Sequence, residues 1–366
     1  MVRLKQILLI TPYTPDNQGR GVSPTSRLLQ EITKTCLVDL VYFRYKEDKE
    51  YIPINSNVRV IKDVLVDNLY KVKGLLQKPW LFPIFTPRYN KNVARFLREQ
   101  VSKVKYDYIY FDFSQTFSYA ADIHHDNKIF MSHDVMCQRY SRERTYCLPW
   151  VKISEKSILK QADKIFTFSS KDCDILKRLY DLDSTPTNFF LSDIVLNAVP
   201  SKAEDYYVFF GGWGRPDNSE ALIWFLDNVA ERVKGQFRYK IIGGGMPEDL
   251  KIRINANPDF EYLGFVDDPY PIIANARAEI APLHFGAGVK VKCVEALACG
   301  TSIIGTEVAF EGIDTPVAKT MLLANTAEEY IFHMKSINES VNDKQRHKEL
   351  FLISYENKEI LNYINQ

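Results

Sequence analysis

The sequence is poor in cysteine, and the cysteines that it has are widely spaced. Six occur in 366 residues, without a C-x-x-C pair or a histidine at zinc-site spacing. Zinc fingers and disulfide-stapled domains are therefore excluded, and we expect no metal site. Reduced thiols are typical of a cytoplasmic protein, which is the location that we expect.

Neither sign of charge is in excess, and long hydrophobic runs are missing. The 47 basic and 46 acidic residues leave a net charge of +1, so we predict no nucleic-acid partner. The apolar run Ile7–Ile10 is interrupted by Thr11 and Pro12. It is too short for a signal-peptide core or a membrane span, and it is typical of a buried first strand.

The chain is about twice as long as a usual domain, which favours two domains. Short apolar runs alternate with helical patterns, as in Ile7–Thr11, Ser23–Lys34 and Leu37–Phe43. This alternation predicts parallel βαβ units and a doubly wound sheet. The pattern breaks in a polar stretch near residue 200 and restarts with an apolar run at Tyr206–Phe210.

We therefore predict an α/β protein of two Rossmann-like domains that face each other across a cleft. The first covers 1–200 and the second 201–345, while a C-terminal helix in 346–366 packs back toward the first domain. Ligands of such domains bind at the carboxyl ends of the strands.

The most informative stretch is the glycine-rich turn inside Pro282–Gly300. Gly286 and Gly288 stand between a predicted strand and a helix predicted over Val289–Ala298. The free N–H groups of a helix start attract anions, and glycine lets that backbone approach a ligand closely. Lys290 and Lys292 fall in the first turn, where a phosphate would neutralise them.

This stretch resembles the signature of family four glycosyltransferases, which have the GT-B fold and use nucleotide-sugar donors. The likeness continues, in family order and spacing, through 208–213, 215–218, 241–245 and 263–268. Shorter matches lie upstream at 162–169 and 197–199. The ordered series carries more weight than any single motif.

The resemblance implies a role for individual positions. Glu295 matches the glutamate that binds the donor ribose, and a carboxylate is a natural acceptor for a vicinal diol. His133 and Lys292 are the implied catalytic residues, with His133 near the sugar-transfer centre. The implied donor-binding residues are Gly19, Gly21, Arg215, Gly245, Phe265, Val266, Gly286, Gly288, Val289, Lys290 and Glu295.

The sequence departs from the family pattern at two places. Ala287 stands where the family often has a second glutamate, and Gly212 and Asn218 replace a common Arg and Lys. The donor identity is therefore open. Two alternatives remain: a non-catalytic nucleotide-sugar-binding partner subunit, and a GT-B sugar-nucleotide epimerase.

Simpler interpretations apply to the same residues. The glycines could serve only a tight turn. Glu295 could form a solvated ion pair with Lys292, which contributes only about 0.3 to 0.5 kcal/mol. His133 could cap a loop.

The segment Leu69–Lys105 is strongly basic, with aromatic residues interspersed. It holds nine basic residues and one acidic residue, Glu99. This composition suits an anionic membrane surface or a solvated helix face. A peripheral position at the inner face of a membrane is thus an alternative to a purely cytoplasmic location.

We predict a retaining, metal-independent hexosyltransferase without a cofactor. It moves a sugar from a nucleoside diphosphate sugar, with UDP favoured, to a hydroxyl of a glycan or lipid-linked glycan. This activity belongs to bacterial-type cell-surface polysaccharide or glycoconjugate synthesis.

Overall fold

The chain divides into two units. The computed structural model describes residues 3–15, 23–314 and 318–366. One unit comprises Met1–Phe190 and Asn357–Gln366, and the other comprises Leu191–Glu356. The boundary predicted near residue 200 lies ten residues further along the chain than this division.

The first unit is built on a parallel sheet of seven strands in the order β3-β2-β1-β4-β5-β6-β7. Its strands are β1 (Lys5–Thr11), β2 (Cys36–Arg44), β3 (Val58–Leu65), β4 (Tyr108–Asp112), β5 (Lys128–Ser132), β6 (Lys164–Thr167) and β7 (Thr185–Pro186). Its helices before residue 190 are α1 (Pro24–Ile32), α2 (Asn68–Gln77), α3 (Lys91–Lys103), α4 (Ser114–Phe117), α5 (Met136–Glu143), α6 (Leu148–Leu159) and α7 (Ser170–Tyr180).

The burial of the strands explains which of them the sequence reveals. Residues Ile7–Ile10 of β1 are fully buried, because the strand lies inside the sheet between β2 and β4. A strand covered on both faces reads as a continuous apolar run. β3 lies at the sheet edge and carries Arg59, Lys62 and Asp63, so no such run marks it.

The second unit is built on a parallel sheet of six strands in the order β10-β9-β8-β11-β12-β13. Its strands are β8 (Tyr207–Phe210), β9 (Tyr239–Ile242), β10 (Phe260–Gly264), β11 (Glu279–Ala281), β12 (Ile303–Gly305) and β13 (Met321–Leu323). Its helices are α8 (Asp193–Asn197), α9 (Pro216–Asn228), α10 (Glu248–Asn255), α11 (Tyr270–Asn275), α12 (Val291–Ala298), α13 (Ala327–Ser336) and α14 (Val341–Ser354).

The position of α8 explains why the boundary between the units lies earlier in the chain than predicted. The Lys348 ammonium of α14 donates to the Leu196 carbonyl at 2.6 Å and also to the Ala198 carbonyl. A cation at the carboxyl end of a helix is favourable, so this contact fastens α8 to the second unit.

The C-terminal stretch differs from the single helix expected over 346–366. α14 belongs to the second unit, and a separate helix α15 (Glu359–Asn365) returns to the first. Ile360 and Ile364 of α15 lie in the core beside β1 and β2, and the Tyr363 ring lies 5.7 Å from that of Tyr108.

Candidate functional site

Each sheet has one point where the strand order reverses. In the first unit this point lies between β1 and β4, and in the second between β8 and β11. Ligands of doubly wound sheets bind at the carboxyl ends of the strands at such a point. Both clusters of candidate residues lie there.

The glycine-rich loop of the second unit joins β11 to α12. Gly286 and Gly288 have φ values of +103° and +71°, which side chains other than glycine adopt only under strain. The helix starts at Val291, two residues after the predicted start, and none of the described side chains caps it. Its first N–H groups therefore offer an anion site.

Lys290 fastens this loop. Its ammonium donates to the Gly288 carbonyl at 2.7 Å and to the Ala287 carbonyl at 3.2 Å, and Glu311 Oε2 lies 4.0 Å away. The cation therefore lies at the loop itself, and its contacts to backbone oxygen hold the turn in shape.

Lys292 connects the loop to the neighbouring turn after β8. Its ammonium donates to Asn218 Oδ1 at 2.8 Å, and Asn218 Nδ2 donates to the Gly212 carbonyl at 2.9 Å. Asn218 and Gly212 are two of the positions that depart from the family pattern. Asn218 contacts Lys292 directly, and Gly212 is linked to Lys292 through Asn218.

Glu295 lies one turn further along α12 and is only 4% exposed. A solvated ion pair on an open helix face is excluded at this degree of burial. A second acid, Glu279 of β11, is fully buried and interacts electrostatically with Lys292 and Glu295. Sequence reasoning missed Glu279, although a glutamate inside the apolar run Ala278–Ala281 was a visible signal.

Other predicted donor-binding residues follow the strands at the same sheet edge. Arg215 precedes α9, is 72% exposed at its side chain and forms an ion pair with Asp217 at 3.1 Å. Gly245, after β9, has a φ of +77°. Phe265 follows β10 and is 51% exposed, next to Val266.

In the first unit, His133 forms a pair with Asp112 at the end of β4. His133 Nε2 lies 2.6 Å from Asp112 Oδ1. The other oxygen of Asp112 accepts from the Thr25 hydroxyl at 2.5 Å and from the Thr11 hydroxyl at 3.0 Å. Asp112 is 1% exposed at its side chain, so these contacts fix the carboxylate and, through it, the imidazole.

Phe113 covers one face of the imidazole. The two rings stack with centroids 3.4 Å apart, and the Phe113 backbone has φ +62° and ψ 151°, a region that is essentially restricted to glycine. A cavity of about 20 Å³, with room for about one water, adjoins His133, Asp112 and Phe168. Sequence reasoning found His133 and missed Asp112 and Phe113.

Some sequence predictions are corrected or fall outside the description. Gly19 and Gly21 lie outside the described residues. In the basic segment, Lys78 donates to Asp122 at 3.0 Å and Arg88 donates to the Pro12 carbonyl at 2.9 Å, and both are buried. The prediction that Lys78 and Arg88 belong to a surface patch is therefore wrong.

Most of the other basic residues in the segment are exposed. Its exposed basic side chains are Lys73, Lys91, Arg95, Arg98, Lys103 and Lys105. Leu69, Val72, Leu76 and Trp80 are exposed as well, the first three on one side of α2. Across the described ranges, no helix is long and apolar enough to cross a membrane.

No group of three metal-ligating side chains occurs in 3–15, 23–314 and 318–366.

Solved structures with the same fold cover nearly the whole chain. Sucrose-phosphate synthase from Thermosynechococcus elongatus has a TM-score of 0.69 and 15% identity, covering 98% of this chain and 96% of its own. Anabaena HepE in complex with UDP and glucose has a TM-score of 0.64 and 13% identity over 100% of both chains. WaaG, a glycosyltransferase involved in lipopolysaccharide biosynthesis, has a TM-score of 0.64 and 10% identity, covering 98% and 97%.

Sequence comparison adds a curated relative and a family. An uncharacterized 44.6 kDa protein in the cps region of Klebsiella pneumoniae is 25% identical in an alignment of 213 positions that covers 52% of this chain and 50% of that protein. The alignment thus spans about half the length of the relative. Residues 204–338 match the family Glycosyl transferases group 1, which confirms the predicted resemblance over this stretch. The solved structures confirm the predicted GT-B fold.

Proposed function

We propose that the chain is a glycosyltransferase that moves a sugar from a nucleoside diphosphate sugar to a hydroxyl group. The observation that carries this proposal is the loop of Gly286 and Gly288 at the reversal point of the second sheet, followed by Lys292 and Glu295 on one helix. The matched stretch 204–338 contains all of them.

The loop supplies the parts that a donor diphosphate requires. The N–H groups at the start of α12, together with Lys290 and Lys292, stabilise negative charge on the departing nucleotide. Arg215 adds a third cation from the turn after β8. Glu295 accepts hydrogen bonds from the ribose hydroxyls, and Phe265 and Val266 lie against the base.

The first unit binds the acceptor in this proposal. The pair of Asp112 and His133 holds an imidazole at the reversal point of its sheet, ready to orient a sugar hydroxyl. The protein then acts by positioning and charge stabilisation, and the donor phosphate takes part in deprotonating the acceptor. Retention at the anomeric carbon and independence of metal belong to this mechanism.

UDP is the donor nucleotide that we propose, and cell-surface polysaccharide is the product class. The complex of HepE with UDP supports the first choice. The relative from a cps region and the similarity to WaaG support the second, with a glycan or lipid-linked glycan as acceptor. We place the activity in the cytoplasm.

We also propose that α2 and its surroundings contact an anionic membrane surface that carries the acceptor. The support is the exposed apolar row Leu69, Val72 and Leu76, with Trp80 nearby. Exposed Lys73 and Lys91 add charge, and each cation near an anionic surface contributes about 1 kcal/mol.

One screen tests the proposed activity. The intact chain is incubated with UDP-, GDP- and ADP-sugars, and release of the nucleoside diphosphate is measured with and without an acceptor mixture. Hydrolysis or transfer with one nucleotide supports the proposal. A change of sugar identity without release indicates an epimerase, and calorimetric binding without turnover indicates a non-catalytic subunit.

A further inference from the structure

Glu279 is an acid in an unusual place. It lies in β11, between Val208 of β8 and Ile303 of β12, and it is fully buried. Neither of its carboxyl oxygens has a hydrogen-bond partner among the described residues. Burying an acid without partners is costly unless it is neutral or a cation compensates it.

The charged groups around Glu279 come from one helix. From α12, Lys292 and Glu295 interact with it electrostatically. The buried thiols of Cys293 and Cys299 lie within range of it as well, and burial raises the pKa of both. The strands on either side present the apolar residues Val208 and Ile303.

Burial is the main reason that the pKa of Glu279 rises to about 8, with the Glu295 carboxylate adding to the rise and Lys292 opposing it. The raised pKa favours the neutral acid at pH 7. Lys292 donates to Asn218 Oδ1, at the loop where the diphosphate is proposed to bind.

We propose that Glu279 is a positioning residue for Lys292. Protonated Glu279 leaves the Lys292 ammonium available to the donor diphosphate, and ionised Glu279 draws the ammonium inward. This inference rests on the proposed function, because it assigns the diphosphate to Lys292. Ionised Glu279 would add a second buried carboxylate next to Glu295, with Lys292 as the cation that both share.

The first test measures the affinity for UDP by calorimetry between pH 7 and pH 9. Wild-type affinity should fall by about tenfold at the upper end, since a proton that is lost near pH 8 must be taken up again for tight binding. Glu279→Gln mimics the neutral acid and should show no such fall. The control Glu261→Gln, an exposed residue of β10, should follow the wild type.

The second test requires no nucleotide. Acetylation of Lys292 is followed by mass spectrometry and normalised to exposed Lys234. At pH 9 the wild type should label Lys292 several-fold more slowly than Glu279→Gln, because ionised Glu279 draws the Lys292 side chain inward and away from the reagent, and the two should agree at pH 7. Glu279→Met serves in both tests if the glutamine variant does not fold.

The outcomes separate the two claims. A labelling difference without any UDP binding supports the role of Glu279 and contradicts the nucleotide assignment. UDP binding with the same pH profile in wild type and Glu279→Gln, together with equal labelling, overturns the role of Glu279. Failure of both tests overturns both claims.

Discussion

Glu295 is the side chain on which the ribose contact depends. Glu295→Ala should weaken binding of UDP by roughly 1 to 3 kcal/mol, because a hydrogen bond to a charged group is lost. Calorimetry measures the affinity, and a thermal unfolding curve shows that the variant is folded. Glu261→Gln is the matched control, and an unchanged affinity in Glu295→Ala would contradict the ribose assignment.

Lys290 and Lys292 should differ when each is replaced by methionine. Lys292→Met should lower kcat/KM for the donor more strongly than Lys290→Met does, because Lys292 carries the charge at the proposed diphosphate. Lys290→Met should also make the loop easier to cleave by a protease, because its bonds to Ala287 and Gly288 are gone. Equal, small effects of the two substitutions on kcat/KM would indicate that both lysines have only a structural role.

Replacing Asp112 should lower turnover without changing the affinity for the nucleotide. Asp112→Asn retains the shape but weakens the contact to His133, so kcat should fall by about tenfold to a hundredfold, since a buried hydrogen bond to a charged group is worth 1 to 3 kcal/mol. UDP affinity should remain that of the wild type, as it should for exposed Asp126→Asn. A loss of UDP affinity in Asp112→Asn would contradict the division of roles.

The residues that the sequence revealed and those that it hid differ in a physical way. Lys292 and Glu295 stand in a motif that is contiguous in sequence, so their proximity follows from one helix. Asp112 and Glu279 end or begin buried strands, and their partners come from other elements. An acid inside an apolar run can be flagged from the sequence, but its neighbours follow only from the strand order.

At the scale of elements, α12 and α14 meet at Gly300. This glycine has a φ of +83°, and a Cβ there would lie 2.3 Å from the Lys344 carbonyl oxygen. Gly300→Ala should therefore lower the free energy of unfolding by about 2 kcal/mol or more, through strain and overlap. Chemical denaturation measures it, with Gly212→Ala as the control because a Cβ at Gly212 meets nothing within 4 Å. Equal stability of the two variants would contradict this packing.

The surface of α2 should determine membrane association. Reversing Lys73 and Lys91 to glutamate and replacing Leu76 by glutamate should abolish sedimentation with anionic vesicles, while hydrolysis of the donor is retained. Salt should weaken the wild-type association, because exposed charges are screened beyond about 8 Å at physiological ionic strength. Reversal of Lys234 and Lys335, which are exposed in the second unit, is the control. A wild type that does not sediment at low salt would contradict the membrane proposal.

At the scale of the whole molecule, most of the fold could be predicted because parallel strands covered on both faces appear as apolar runs. Edge strand β3 escapes prediction because its charged residues interrupt the apolar run. The domain boundary lies earlier than predicted because α8 is held by Lys348, about 150 residues away in sequence. The C-terminal helices likewise divide between the units through long-range contacts. Such contacts leave no local pattern in the sequence.

The most direct test of the central claim is a calorimetric titration of UDP into the intact chain. The account predicts saturable binding at one site, which Glu295→Ala weakens and Asp112→Asn leaves unchanged. A folded chain that binds neither UDP nor GDP nor ADP at millimolar concentration would contradict the claim that the second unit is a nucleotide-sugar site.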